Sequence, residues 1–70
     1  MPNYKITFAK NSIASCHPTD QKLPADLKGN IYHHHDLATK QLIFAIVNAH
    51  SMDEAIQDTK AFIKQYSEKA

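Results

Sequence analysis

The feature that most constrains this chain is an apolar stretch at residues 41–49 that leads directly into an amphipathic segment at residues 51–66. The stretch predicts a β-strand, along which successive side chains point to opposite faces. One face carries Leu42, Phe44, Ile46 and Asn48, and the other carries Ile43, Ala45, Val47 and Ala49. Both faces are apolar, yet the chain supplies one evident helix to cover them. Something else must therefore cover the second face.

The covering helix is predicted at residues 51–66. Ser51 and Glu54 have the spacing of a capping box, in which the hydroxyl accepts a hydrogen bond from a first-turn N–H and the carboxylate reaches back. Apolar side chains then recur at helical spacing in a stripe about 120° wide. The stripe is Met52, Ala55, Ile56, Thr59, Phe62, Ile63 and Tyr66. Such a stripe is typical of a face packed on a core, so we expect the helix to lie on one side of a sheet.

The sequence pattern predicts two further strands. Asn3–Ala9 alternates between apolar and polar side chains, which is typical of a half-buried strand. Ile31–His35 is the next strand, and a hairpin loop at residues 36–40 joins it to the long apolar strand. Asp36 is placed to cap that turn with its side chain, and Lys40 takes a position that Gly often fills.

The region between these strands is less regular. After a turn at residues 10–12, residues 13–16 can add a short second arm to the first strand. Pro18, Pro24 and Gly29 exclude a long helix between residues 16 and 30. One short helical turn fits residues 24–28, with Pro at its start and Gly past its end.

These elements predict a single domain at residues 1–70, of the α+β class. We expect a three- or four-stranded antiparallel sheet with the C-terminal helix packed on one face, in the chain order β-(β)-β-β-α. A chain of 70 residues buries only about 60% of its unfolded surface, so small domains often need a disulfide, a metal or self-association. Cys16 is the single cysteine, which excludes an intrachain disulfide.

Composition narrows the class of partner and the location. The chain has eight lysines, no arginine and a formal charge of +1, and its lysines are scattered rather than clustered. Nucleic-acid sites favour a basic stripe with arginine, so we expect no nucleic-acid partner. No apolar run approaches the roughly 18 residues of a membrane span, so we expect no membrane partner. A lone thiol without a signal peptide favours the cytoplasm.

The uncovered sheet face gives the first functional hypothesis. Ile43, Ala45 and Val47 lie on the face that we expect to remain free, and large exposed apolar patches usually mark interaction sites. Symmetric homodimers are the commonest soluble oligomers, so the expected partner is a second copy, which could pack face to face or extend the sheet edge to edge. Two alternatives are an unidentified protein docked on this face and the segment 16–30 folded over it.

The histidines give the second hypothesis. His33 and His35 point to the same side of their strand, with Cα atoms about 6.6 Å apart, and two such imidazoles can converge on one metal ion. The candidate further ligands are Asp36, His17, Cys16 and His50, and imidazole with thiolate or carboxylate suits Zn, Ni or Cu. The other interpretation is that these polar residues protect an exposed edge strand.

The predicted function is thus a non-catalytic protein-interaction module that self-associates through its sheet, and the alternative is a transition-metal-binding or metal-sensing protein. An enzyme ranks third, because the adjacent Cys16 and His17 lack an accompanying acid pair or Gly-rich loop. Protonation of all five histidines would raise the formal charge from +1 to +6. We therefore expect a dimer that uses the histidine strand to weaken below about pH 6.

Overall fold

The structure is a computed structural model that describes residues 2–10 and 12–69. Its elements are β1 (Asn3–Ala9), β2 (Ser12–Thr19), β3 (Ile31–His35), β4 (Leu42–Asn48) and α1 (Met52–Lys69). The strands form one antiparallel sheet in the order β2-β1-β4-β3, and α1 packs on one face of it. The predicted α+β class is confirmed, with four strands rather than three.

The core lies between α1 and the two central strands. Tyr4 and Ile6 of β1 pair with Val47 and Ala45 of β4, and all four side chains are buried. The remaining buried members of this cluster are Ala49 and Ala55. Alanines on both the sheet and the helix let the helix backbone approach the sheet closely, because they add little bulk between the two layers.

Strand β2 is longer than predicted, since it runs from Ser12 to Thr19 rather than over residues 13–16. It contains Pro18, which lacks an N–H, and an edge strand is where a sheet tolerates proline. Ala14 is an extra residue in the pairing with β1, which makes a bulge. The predicted turn at residues 10–12 includes Asn11, which lies outside the described residues.

The linker at residues 20–30 crosses from the β2 edge of the sheet to the β3 edge. Near the start of this linker, the side-chain amide of Asn3 donates to the backbone oxygen of Gln21. Its predicted short helix is a turn, in which the Leu27 N–H donates to the carbonyl of Pro24. At the far end the Asn30 side chain donates to Asn48 O, 3.1 Å away, and to the Asp58 carboxylate, 3.0 Å away. This amide thereby joins the linker, β4 and α1.

The β3–β4 hairpin loop has the side-chain cap and the backbone conformation predicted from its sequence. The Asp36 carboxylate accepts hydrogen bonds from the backbone N–H groups of Ala38 and Thr39. Lys40 has a φ of 62°, which lies in the left-handed region that favours glycine. Both features of the hairpin predicted from the sequence are confirmed.

The start of α1 follows the capping-box prediction in one half and departs from it in the other. The Glu54 N–H donates to the Ser51 hydroxyl, as predicted. The Glu54 carboxylate, however, accepts from the backbone N–H of His50 and contacts its imidazole Nδ1 at 3.2 Å. The predicted apolar stripe faces the sheet for most of its length, with Ala55 and Thr59 fully buried, whereas Met52 is 38% exposed.

Candidate functional site

The three consecutive histidines are divided between the two faces of the sheet. His33 pairs with Ala45 and therefore lies on the helix side, whereas His34 pairs with Phe44 on the opposite side. The His35 ring stacks on that of His33, with ring centroids 5.4 Å apart, so these two share the helix side as predicted. The face assignment of the histidines is confirmed.

His33 lies against the C-terminal half of α1. Its ring centroid is 5.0 Å from that of Phe62 and 5.7 Å from that of Tyr66. The Tyr66 hydroxyl donates to the Lys40 carbonyl, which fixes the helix to the β3–β4 hairpin. We call His33, His35, Phe62 and Tyr66 the aromatic cluster. It attaches the second half of the helix to the edge strand β3.

Burial of the imidazole against the helix lowers the pKa of His33, and the neighbouring His35 and His34 lower it further. The neutral ring is thus favoured in the folded state, because a charged ring would lose hydration and meet two other imidazoles. The sequence alone did not reveal the Phe62 and Tyr66 contacts. Phe62 and Tyr66 are four residues apart on the apolar stripe, which predicts that they lie on the same side of the helix. This spacing does not show which strand they contact.

The candidate metal ligands are not brought together. His17 lies on β2, three strand spacings or about 14 Å from β3, and it pairs with Lys5 on the face opposite His33. The structure therefore does not bring His17 close to His33 and His35. The Asp36 carboxylate caps its own hairpin, where the Thr39 and Ala38 N–H groups lower its pKa. Among the described residues no group of three or more His, Cys, Asp or Glu side chains is placed to hold a metal ion.

The His33 and His35 rings also have an unfavourable relative orientation for a shared ion. Their planes are inclined by only 26°. The lone pair of an imidazole nitrogen lies in the ring plane, so nearly parallel rings direct their lone pairs side by side rather than toward one point. Zinc, nickel or copper binding at these two residues stays a prediction, and it requires the rings to turn.

The residues of the predicted interface, Ile43, Ala45 and Val47, do not share one free face of the sheet. Ala45 and Val47 are 0% exposed because α1 covers their side of the sheet. Ile43 is the extra residue of a bulge opposite His34 and His35, and it is 44% exposed. The same bulge reverses the alternation, so Leu42 pairs with His35 on the helix side and is buried.

The face opposite the helix is less apolar than the sequence suggested. Ile46, its most buried side chain, is 2% exposed and pairs with Lys5 on one side and Tyr32 on the other. Phe44 stacks with His34 at a centroid distance of 5.3 Å, and the Lys5 ammonium lies 4.9 Å from its ring centroid. Neighbouring strands therefore shield the apolar side chains of this face, and it does not present a broad apolar patch for a partner.

The two edges of the sheet differ in a way that the sequence pattern did not indicate. The β2 edge carries Pro18 and the bulge at Ala14, both of which oppose strand addition. The β3 edge carries neither, and within residues 2–10 and 12–69 no strand pairs with its outer side. The carbonyl of Asn30 and the N–H of Asp36 both point to β4. Because backbone N–H and C=O groups alternate in direction along a strand, these two groups determine which backbone groups of β3 point outward.

The thiol of Cys16 is separated from the imidazole of His17. Cys16 pairs with Ile6 on the helix side, and His17 pairs with Lys5 on the other side, so the adjacent side chains point to opposite faces. Partial burial raises the pKa of the Cys16 thiol, which keeps it protonated near neutral pH. This arrangement does not activate the thiol as a nucleophile.

Comparison with known protein families, with curated proteins and with solved structures finds no match for this chain. Within the described residues no helix is both long enough and apolar enough to cross a membrane. The fold and the site thus define a small α+β domain whose described sheet has two different edges, β2 with a proline and a bulge and β3 without either.

Proposed function

We propose that this protein is a non-catalytic protein-interaction module that self-associates through the outer edge of β3. Two four-stranded sheets would then continue as one sheet across a two-fold axis. The contrast between the two edges carries the proposal. Residues Ile31–His35 contain no proline and, with neutral histidines, no charged side chain, whereas β2 is interrupted by Pro18 and a bulge.

The backbone directions support a particular register. Because the Asn30 carbonyl points to β4 and successive residues alternate along an extended strand, the N–H and C=O groups of Ile31, His33 and His35 point outward. An antiparallel pairing centred on His33 opposes Ile31 to His35 of the second copy. Every outward group then finds a partner, giving about six main-chain hydrogen bonds.

Side chains on the face opposite the helix support the same register. His34 is exposed and stacks one side of its ring on Phe44. Tyr32 lies on the same face, two residues earlier along β3. A pairing centred on His33 brings His34 beside Tyr32 of the second copy, and cross-strand aromatic pairs stabilise a sheet by about 0.2–1 kcal/mol each. The stacked rings of Phe44 and His34 would then be followed by Tyr32 of the second copy, across the two-fold axis.

Sedimentation equilibrium at neutral pH tests the proposal. We expect a dimer mass for the wild-type chain and a monomer mass for His34→Lys, because lysine on an edge strand opposes pairing. The matched control is Ser15→Lys, which places the same exposed charge on the β2 edge and should leave the dimer intact. Circular dichroism checks that each variant is folded. A monomeric wild-type chain, or equal masses for the two lysine variants, would contradict the proposal.

A further inference from the structure

A cavity lies between the start of β2 and the C-terminal half of α1. It has a volume of about 320 Å³ and is lined by Ser12, Ile13, Lys60 and Ile63. Ile13 and Ile63 are half-buried and supply apolar walls, whereas Ser12 and Lys60 are exposed and supply polar groups. The cavity lies beside β2, at the opposite edge of the sheet from β3.

The two chain segments that line this cavity carry lysines as their charged residues. Lys60 is exposed, and Lys64 follows it one turn later on the same helix, where residues four apart are neighbours. Lys10 lies in the β1–β2 hairpin, two positions before Ser12. The sequence has no Asp or Glu within residues 8–15 or 59–66. The charged residues of these two lining segments are therefore all lysines, although the whole chain has a formal charge of only +1.

We infer that this cavity binds a small amphipathic carboxylate. The hydrocarbon part packs between Ile13 and Ile63, and the carboxylate meets the Lys60 ammonium. Ligand sites of this kind combine apolar walls with a few polar groups that fix the orientation. A volume of about 320 Å³ lies at the small end of the range for ligand pockets, about 300–1,000 Å³, so a short alkyl carboxylate of eight carbons is the suitable probe.

Titration of the full chain with octanoate, followed by amide chemical shifts, tests this inference. We expect the largest shifts at Ser12, Ile13, Lys60 and Ile63, and a saturable curve. Octanol should bind more weakly because it lacks the charge, and octylammonium should not perturb these amides because lysines repel it. Butyrate should bind more weakly than octanoate because it fills less of the apolar part.

Two variants separate the site from a general charge effect. Lys60→Gln should weaken octanoate binding about tenfold, the usual size of a charge-assisted hydrogen bond that is lost. The matched control is Lys22→Gln in the linker, which removes the same charge far from the cavity and should leave the affinity unchanged. Equal binding of octanoate and octylammonium, equal effects of the two substitutions, or no shift at Ile13 and Ile63 would overturn the inference. None of these outcomes depends on association through β3.

Discussion

At the scale of single residues, His33 is distinguished by its position under the helix. Its ring contacts Phe62 and Tyr66 of α1 and stacks on His35, and its pKa is lowered by burial and by the two adjacent histidines. In the unfolded chain a histidine has a pKa of about 6.5, so His33 binds a proton more readily in the unfolded chain than in the folded chain. Stability rises with pH between the folded and unfolded pKa values. Acidification through this window weakens the fold and has no further effect through His33 below it.

Replacing His33 with Phe should remove this contribution while keeping an aromatic ring against α1. We expect the free energy of unfolding to fall less between about pH 7 and pH 5 in His33→Phe than in the wild-type chain. Urea unfolding at several pH values, at concentrations where the chain is monomeric, measures the difference. His17→Gln is the control, because His17 is exposed on β2 and should leave the pH dependence unchanged. An identical pH dependence in His33→Phe and wild type would show that this histidine does not carry the effect.

Residue-scale features were predictable where the interaction is local. The Asp36 cap and the left-handed Lys40 both arise within a five-residue loop, so loop length and residue type suffice to predict them. The surroundings of His33 were not predictable in the same way. Phe62 and Tyr66 come from the opposite end of the chain, and helix periodicity identifies their stripe without identifying the strand below it.

At the scale of elements, the sequence predicted β1, β3, β4 and α1 but not the face that the helix covers. Both faces of β4 are apolar, so alternation alone leaves the choice open. The helix packs on the side of Ala45 and Ala49, where its own Ala55 is buried. Small residues on both layers allow this close approach, whereas Phe44 occupies the other side. The three alanines were the signal in the sequence that favoured this side.

The start of α1 depends on Ser51, whose hydroxyl accepts the Glu54 N–H at 3.2 Å. We expect Ser51→Ala to lower the free energy of unfolding by about 1 kcal/mol, because a first-turn N–H loses its partner. Urea denaturation followed by circular dichroism measures the change. Gln57→Ala is a matched control at an exposed position in the same helix, and its effect should lie within about 0.5 kcal/mol. A loss no larger in Ser51→Ala than in Gln57→Ala would mean that the cap does not hold the helix start.

At the scale of the whole molecule, both apolar faces of β4 are covered, although the sequence suggested that one face would stay free. The helix covers Ala45 and Val47, and neighbouring strands shield Ile46 on the other side. The linker 20–30 crosses the sheet from edge to edge, and its Leu23 and Leu27 are half-buried. The region with a remaining capacity to pair is therefore an edge, the outer side of β3, rather than a face. Sequence patterns could not separate these two cases, because strand order is set by long-range pairing.

The proposed pairing through β3 has a consequence for the assembled protein, because it would line up three histidines from each copy along one seam. Imidazole side chains gain a positive charge in acid, so protonation of these histidines should make the two copies repel each other at low pH. We expect the mass in solution to fall from dimer to monomer between about pH 7 and pH 5.5. Salt at about 1 M should restore part of the dimer at the lower pH, because it shortens the Debye length to about 3 Å and so screens the repulsion between the two copies.

Sedimentation at several pH values, with circular dichroism to confirm that the monomer stays folded, measures this transition. His34→Gln should shift the loss of dimer to lower pH, because it removes one charge from each copy at the seam while keeping a polar side chain. His50→Gln is the control, because its imidazole lies beside Glu54 at the start of α1 and away from β3. A dimer that persists at pH 5, or one that responds equally to both substitutions, would place the contact between copies elsewhere than at β3.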